Sequence, residues 1–202
     1  MNLSEIINLD SSLPIKSLNR GEFLYAEGDQ PNHVYYLVDG IVGLSYNTEN
    51  GKNTFLRIFK EGDLIGHRSF FAEETHHATA LALTEIKVKI ISHQACEKIC
   101  SDQPDILKSI LKSLAKDLAS AEIRLATVQD KSVIKRVAEA LLFLKIKDPL
   151  MAWKGKEIAD FASTTPESVA RVISKLESSK IIEKNGRSIN ILDEEKLKDF
   201  TN

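Results

Sequence analysis

The sequence predicts an α+β chain: an N-terminal antiparallel barrel or sandwich, one long helix, and a C-terminal winged helix-turn-helix. Three observations predict it. Glycines crowd the first third of the chain among short apolar runs, an unbroken apolar heptad follows, and two helical stripes separated by a turn lead into a hairpin pattern near the C-terminus.

Seven of the nine glycines, Gly21, Gly28, Gly40, Gly43, Gly51, Gly62 and Gly66, lie within the first 66 residues. Between them run the short apolar stretches 33–38, 41–46 and 54–59, and the pattern continues through 78–83 and 87–91. Short strands with glycine-marked turns specify an antiparallel barrel or sandwich. From Pro104 glycine vanishes until Gly155, and apolar residues take helical spacing.

Within that helix Leu107, Leu111, Leu114, Leu118, Ala121, Leu125 and Val128 are separated alternately by four and three residues. Such a narrow seam fits another helix, either its own barrel's surface or a second copy of itself. A homodimer through residues 104–130 is the favoured reading, because two-fold symmetry matches two DNA half-sites about 34 Å apart.

The C-terminal pattern begins with Ile158, Phe161 and Ala162 at helical spacing, and resumes with Val169, Val172, Ile173 and Leu176. Ala159 is small enough to let two helices approach closely. Thr165 suits an N-cap and Pro166 the first helical position, where its missing N–H costs nothing. Opposite the apolar stripe stand Glu167, Arg171, Ser174 or Lys175, and Ser178, with Ser168 beside them. Next comes a strand-turn-strand pattern over 181–192, with Asn185-Gly186 as the expected two-residue turn. Residues 131–192 hold twelve Lys and Arg against seven Asp and Glu, whereas residues 1–130 hold thirteen against eighteen. A near-neutral total therefore conceals a basic reading segment behind an acidic one, as phosphate binding requires.

Other classes find little support. There is no apolar tract of eighteen residues and no charged start followed by an apolar run, so a soluble, unexported, cytoplasmic chain without membrane partners is expected. Cys96 and Cys100, the only cysteines, suggest neither a disulfide framework nor a four-ligand metal site. No P-loop, GxSxG or HExxH occurs, and Glu73-Glu74 reads as a solvated loop, so an enzyme is not expected.

The strings Gly21-Glu-Phe-Leu-Tyr-Ala-Glu-Gly28-Asp, Val34-Tyr-Tyr-Leu-Val-Asp-Gly40 and Glu61-Gly-Asp-Leu-Ile-Gly66, the long helix, and 157–176 together resemble the Crp/Fnr family, the bacterial transcription regulators of the cyclic-AMP receptor and fumarate-nitrate regulator type. The resemblance covers nearly the full chain. It implies a cyclic-nucleotide-binding-type jelly roll over 1–103, a dimerisation helix over 104–130, and a winged helix over 131–202 that binds double-stranded DNA at a palindromic promoter site, with RNA polymerase as a further partner. Glu167 and Arg171 match the family's Glu-x-x-x-Arg reading pair. Chemistry agrees: a carboxylate accepts from the cytosine N4 amine, and a guanidinium grips guanine O6 and N7. Ser168 looks like a phosphate or base contact, and Lys156, Lys175, Lys184 and Arg187 like backbone-positioning cations.

At the sensing end the resemblance weakens. Relatives that bind cyclic AMP carry Gly-Glu for the ribose and, about ten residues on, Arg-Ser or Arg-Thr for the phosphate. Here Gly66 is followed by His67, Arg68 and Ser69, and His77-Ala78-Thr79 stands where the phosphate grip belongs. Ala121 and Glu122 occupy the helix positions that meet the purine in such relatives, without the hydroxyls expected there. These nine residues form the candidate effector pocket, and its chemistry does not support cyclic AMP. An iron-sulfur cluster lacks its thiolates, haem has only His76 or His77 as a conceivable ligand, and all five histidines, His33, His67, His76, His77 and His93, are expected to be solvated. The cofactor is left unassigned, with no metal site expected. The alternative reading is a ligand-binding module that acts through protein partners and carries a vestigial winged helix.

Overall fold

A computed structural model describes residues 12–49, 51, 53–128, 131–147, 151–186 and 188–200, without the side chains of 124, 126–128, 146 and 147. They form two compact units that divide between Glu122 and Ile123.

The first unit opens with strands β1 (Ile15–Leu18), β2 (Phe23–Tyr25), β3 (His33–Asp39), β4 (Val42–Asn47), β5 (Asn53–Phe59) and β6 (Leu64–Ile65). Helix α1 (His67–Ala72), strands β7 (Thr79–Ala82) and β8 (Ile86–Ser92), and helix α2 (His93–Asp102) follow. Antiparallel pairing gives two four-stranded sheets, ordered β1-β8-β3-β6 and β2-β7-β4-β5. Leu37, Val42, Phe59, Ile65, Ala80, Ile86 and Val88, drawn from both sheets, fill one core. Because side chains alternate across a strand, the opposite face of β3 presents Val34 and Tyr36. These are buried with Phe70 of α1, Ile91 of β8 and Cys96 of α2.

The 33–38, 41–46, 54–59, 78–83 and 87–91 runs all become strands, as expected. Helices α1 and α2 were not legible. The first has only six residues and rests on Gly66 at φ 82°; the second starts where the Ser92 hydroxyl caps the Ala95 N–H.

Helix α3 (Pro104–Val128) runs from the first unit into the second. Ile106 and Ile110 are buried on the barrel side, while Leu107, Leu111, Leu118 and Leu125 are exposed. The heptad seam is thus a second face, offset from the one packed on the barrel. Leu114 is half-buried and Ala121 exposed, and the Val128 side chain lies outside the described residues.

The second unit holds α4 (Val133–Lys147), α5 (Gly155–Phe161), α6 (Pro166–Ser178), the hairpin β9 (Ile182–Asn185) and β10 (Ser188–Ile191), and α7 (Glu194–Asp199). Val137, Leu141, Leu144, Trp153, Ile158, Val169 and Leu176 form its interior. The stripe predicted for α6 is buried, and that for α5 is buried at Ile158 and Ala162 with Phe161 half-buried. The hairpin turn is displaced by one residue from the expected Asn185-Gly186. Asn185 pairs with Ser188, which leaves Gly186 as the first turn residue at φ 61°. Primed two-residue turns need positive φ at that position, and glycine adopts it without steric cost.

Candidate nucleic-acid interface and effector pocket

Local chemistry sets the reading helix. The Thr165 hydroxyl accepts from the Ser168 N–H at 3.3 Å, and Pro166 occupies the first turn of α6. Upstream, α5 closes with a Schellman arrangement: Ser163 is left-handed at φ 51°, and the Thr164 N–H donates to the Ala159 carbonyl at 3.0 Å. Helix α6 ends the same way, with Lys180 at φ 56° and the Ile181 N–H donating to the Leu176 carbonyl. Arg136 of α4 fixes the turn from below, its Nε donating to the Ala162 carbonyl at 3.0 Å. Phe143 of α4 stacks on Phe161 of α5 with ring centres 4.9 Å apart.

Val169, Val172, Ile173 and Leu176 are buried, so Glu167, Arg171, Ser174, Lys175 and Ser178 face solvent. Arg171 Nη2 donates to the half-buried Ser168 hydroxyl at 3.1 Å, which holds the guanidinium toward the helix start. Backbone N–H bonding at the helix start, then the Thr165 side chain and the Arg171 charge, hold the Glu167 carboxyl below the usual carboxylate range. It is therefore an ionised acceptor beside a cation, the pairing that a C:G step requires.

The other predicted contacts are arranged less uniformly. Lys156, whose side chain is exposed, pairs with the buried Asp160 carboxylate one turn along α5 at 2.6 Å. The Lys184 backbone N–H donates to Glu177 Oε1 at 3.2 Å, joining the wing to the reading helix. Arg187 lies outside the described residues. A cleft of about 370 Å³ opens between α6 and the wing, lined by Lys154, Gly155, Ala170, Ser174, Lys184 and Gly186 among others. Sequence reasoning missed Lys154 and Gly155. The available signal was Glu157, whose carboxylate accepts from the Lys154 backbone N–H at 2.8 Å and marks that point as a helix start.

The effector segment departs from expectation. His67 and His76 are buried, at 4% and 3% exposure, and are not the solvated residues expected. His76 stacks on Tyr25 with ring centres 3.6 Å apart, and its backbone N–H and carbonyl bond Asp29 and Gly28. A Cβ on Gly66 would lie 3.3 Å from the His76 ring, so glycine permits the stack as well as the positive φ. Burial pushes His76 and His77 down, in His77 reinforced by the Arg68 charge. Arg68 lies 3.0 Å from His77 Nδ1 and pairs with Glu74 at 3.5 Å. Ser69 and Ala78 are buried, and the Thr79 hydroxyl accepts from the Glu27 N–H.

Ala121 and Glu122 are exposed, and the α3 side chain that meets the barrel here is Asp117. Arg57 Nη1 of β5 donates to Asp117 Oδ2 while its guanidinium carbon lies 4.6 Å from the Phe59 ring centre. His67 Nε2 stands 3.8 Å from the same carboxylate oxygen, and neither ring nitrogen has a hydrogen-bond partner among the described residues. Burial pushes the Asp117 carboxyl up, but the His67 ring and Arg57 guanidinium outweigh it and leave the group below the usual carboxylate range. Among the described residues no group of three His, Cys, Asp or Glu is placed to hold a metal ion, and no helix is long and apolar enough to cross a membrane.

Comparison with known proteins identifies both units. The "Cyclic nucleotide-binding domain" family matches residues 15–103 and the "Crp-like helix-turn-helix domain" family residues 135–200. The chain is 26% identical to the "Probable transcriptional regulator flp" of Lacticaseibacillus casei, covering 95% of this chain and 89% of that one. It is 25% identical to the "CRP-like cAMP-activated global transcriptional regulator" of Mycobacterium tuberculosis, covering 96% and 91%. The fold matches FixK2 from Bradyrhizobium japonicum with a TM-score of 0.83 at 23% identity, over 93% of this chain and 96% of that chain. A CRP-family transcriptional regulator from Thermus thermophilus gives 0.80 at 25% identity, over 92% and 96%. With a nucleotide-binding-type barrel followed by a Crp-like reading domain, the chain belongs to the Crp/Fnr family of transcription regulators and is a DNA-binding protein, not an enzyme.

Proposed function

We propose that the protein is a homodimeric regulator that reads a palindromic promoter site through Glu167 and Arg171, and that it does so without cyclic AMP. The observation that carries the DNA-reading half is the exposed, ionised Glu167 beside Arg171 on a helix whose other face is buried. Dimerisation through α3 is supported by the row Leu107, Leu111, Leu118 and Leu125, which remains exposed although Ile106 and Ile110 already serve the barrel. Ser168 and Lys175 flank the reading pair, and Lys154 and Lys184 border the cleft, in positions suited to phosphates. The protein acts in the cytoplasm, with RNA polymerase as its further partner.

Independence from cyclic AMP is supported by the barrel's own chemistry. A bound cyclic phosphate needs a fixed cationic grip, yet His77 is held neutral and Arg68 is engaged with His77 and Glu74. The helix reaches the barrel through Arg57, Asp117 and His67, so an internal ion pair does what a ligand bridge would otherwise do.

Selection of bound duplexes from a random pool by the full-length protein tests this reading. The expected result is one palindromic consensus with a G:C pair in each half-site, obtained with no added ligand. Recovery of a consensus only in the presence of cyclic AMP or cyclic GMP would overturn the ligand-independent part, and no consensus under any condition would overturn sequence-specific reading.

A further inference from the structure

The two cysteines lie one turn apart on α2, Cys96 buried and Cys100 half-buried. Both line one apolar cavity together with Val34, Leu64, Ile91 and Phe71, where Ile106 and Ile110 root the long helix. Both side chains reach that cavity from the same side of α2, as residues four apart on a helix do.

Helix geometry decides what the pair can do. Residues four apart on a helix have Cβ atoms about 5–6 Å apart, whereas a disulfide needs roughly 3.5–4.5 Å. A disulfide would therefore have to unwind α2, which is capped by Ser92 and continuous through Asp102. A single atom placed between the sulfurs, with bonds of about 2.3 Å to each as in metal thiolates, spans the wider gap without disturbing the helix. Zinc is a poor occupant, because structural zinc takes four ligands and no third His, Cys, Asp or Glu joins the pair among the described residues. Soft centres that need only two sulfurs from the protein, a two-coordinate cuprous ion or an arsenical whose third bond is to carbon, accept an apolar surround.

We propose that Cys96 and Cys100 form a dithiol site for a soft, thiophilic centre that bridges both sulfurs, namely a trivalent arsenical or a cuprous ion. With an arsenical the step is a condensation: two arsenic–sulfur bonds form, the two thiol protons leave with the arsenic-bound oxygen as water, and no oxidation state changes. A cuprous ion displaces the same two protons into solvent. Burial, followed by the neighbouring Cys100, pushes the Cys96 thiol up to about 12, so without an occupant Cys96 is protonated and resists alkylating reagents that need a thiolate.

The experiment treats the native full-length chain with phenylarsine oxide or, separately, with a cuprous salt against a competing chelator. Intact-mass spectrometry and a thiol count are the readouts, on wild type, Cys96→Ala and Cys100→Ser. The expected result is one phenylarsenic group or one copper per chain with both thiols consumed, and a more than tenfold loss of retention against excess monothiol in either variant. Retention in only one arm assigns the source as arsenical or copper. Equal retention by the single-cysteine variants, or modification of one thiol only, overturns the bridging site. Circular dichroism of each variant before treatment, with Cys100→Ser as the milder change, separates loss of the site from loss of the fold.

Discussion

Arg171 combines a bidentate donor with a tether, since its guanidinium bonds Ser168 while remaining exposed. Arg171→Ala should cost roughly 1–3 kcal/mol on the specific site and flatten the preference at one G:C pair. Fluorescence titration on matched and single-mismatch duplexes reads this out, and equal losses on every sequence would remove Arg171 from base reading. His76 gives a second prediction. Its unfolded value is near 6.5 and its folded value is lower because of burial. The unfolded chain therefore binds the extra proton first, so stability is complete above about 6.5 and falls as the pH drops, by up to about 1.4 kcal/mol per pH unit. Thermal melts should show a decline as the pH falls below about 6.5 that shrinks in His76→Phe, which keeps a ring against Tyr25 but cannot titrate. An undiminished decline in the variant would place the pH response elsewhere. Glu167 and Arg171 were legible in the sequence because a helix face follows from spacing. The burial of His67 and His76 was not, because it depends on β2, β6 and α1 meeting across the barrel.

Among the elements, α3 shows how one helix carries two instructions. Ile106 and Ile110 pack on the barrel, and the four-three seam beside them faces solvent. The seam alone left open whether it served the barrel or a second chain, and burial separates the two faces. Leu118, at 61% exposure, can accept a charge without disturbing the barrel core. Leu118→Glu should leave a folded protein that sediments as a monomer and binds a palindrome roughly 100-fold more weakly, as two-site engagement is lost. A variant that stays dimeric would relocate the interface. The helix-turn-helix was read from stripes and the Thr165-Pro166 start, yet its ends carried no signal. Ser163 and Lys180 fill left-handed positions usually marked by glycine, so no glycine announced where either helix stops.

At the scale of the whole molecule, charge is divided along the chain: residues 131–192 carry a net +5, from twelve cations and seven anions, whereas 1–130 carry −5, from thirteen and eighteen. DNA affinity should therefore fall steeply with salt, and Lys184→Ala should weaken binding on all sequences alike while reducing the log–log salt slope by about 0.9. Titration at several salt concentrations measures it, and an unchanged slope would remove Lys184 from the phosphate contacts. By itself, the sequence determined the strand-rich first segment, the long helix, the exposed face that carries Glu167 and Arg171, and the family, because these rest on periodicity, turn chemistry and local motifs. Only the tertiary structure decided that Asp117 meets Arg57 and His67, that His76 is sealed against Tyr25, and that both cysteines line one cavity with Val34, Leu64 and Ile110. The physical reason is sequence distance: periodicity reports which face of an element is apolar, whereas pairing between remote polar groups follows from how strands and helices register once that apolar surface is buried.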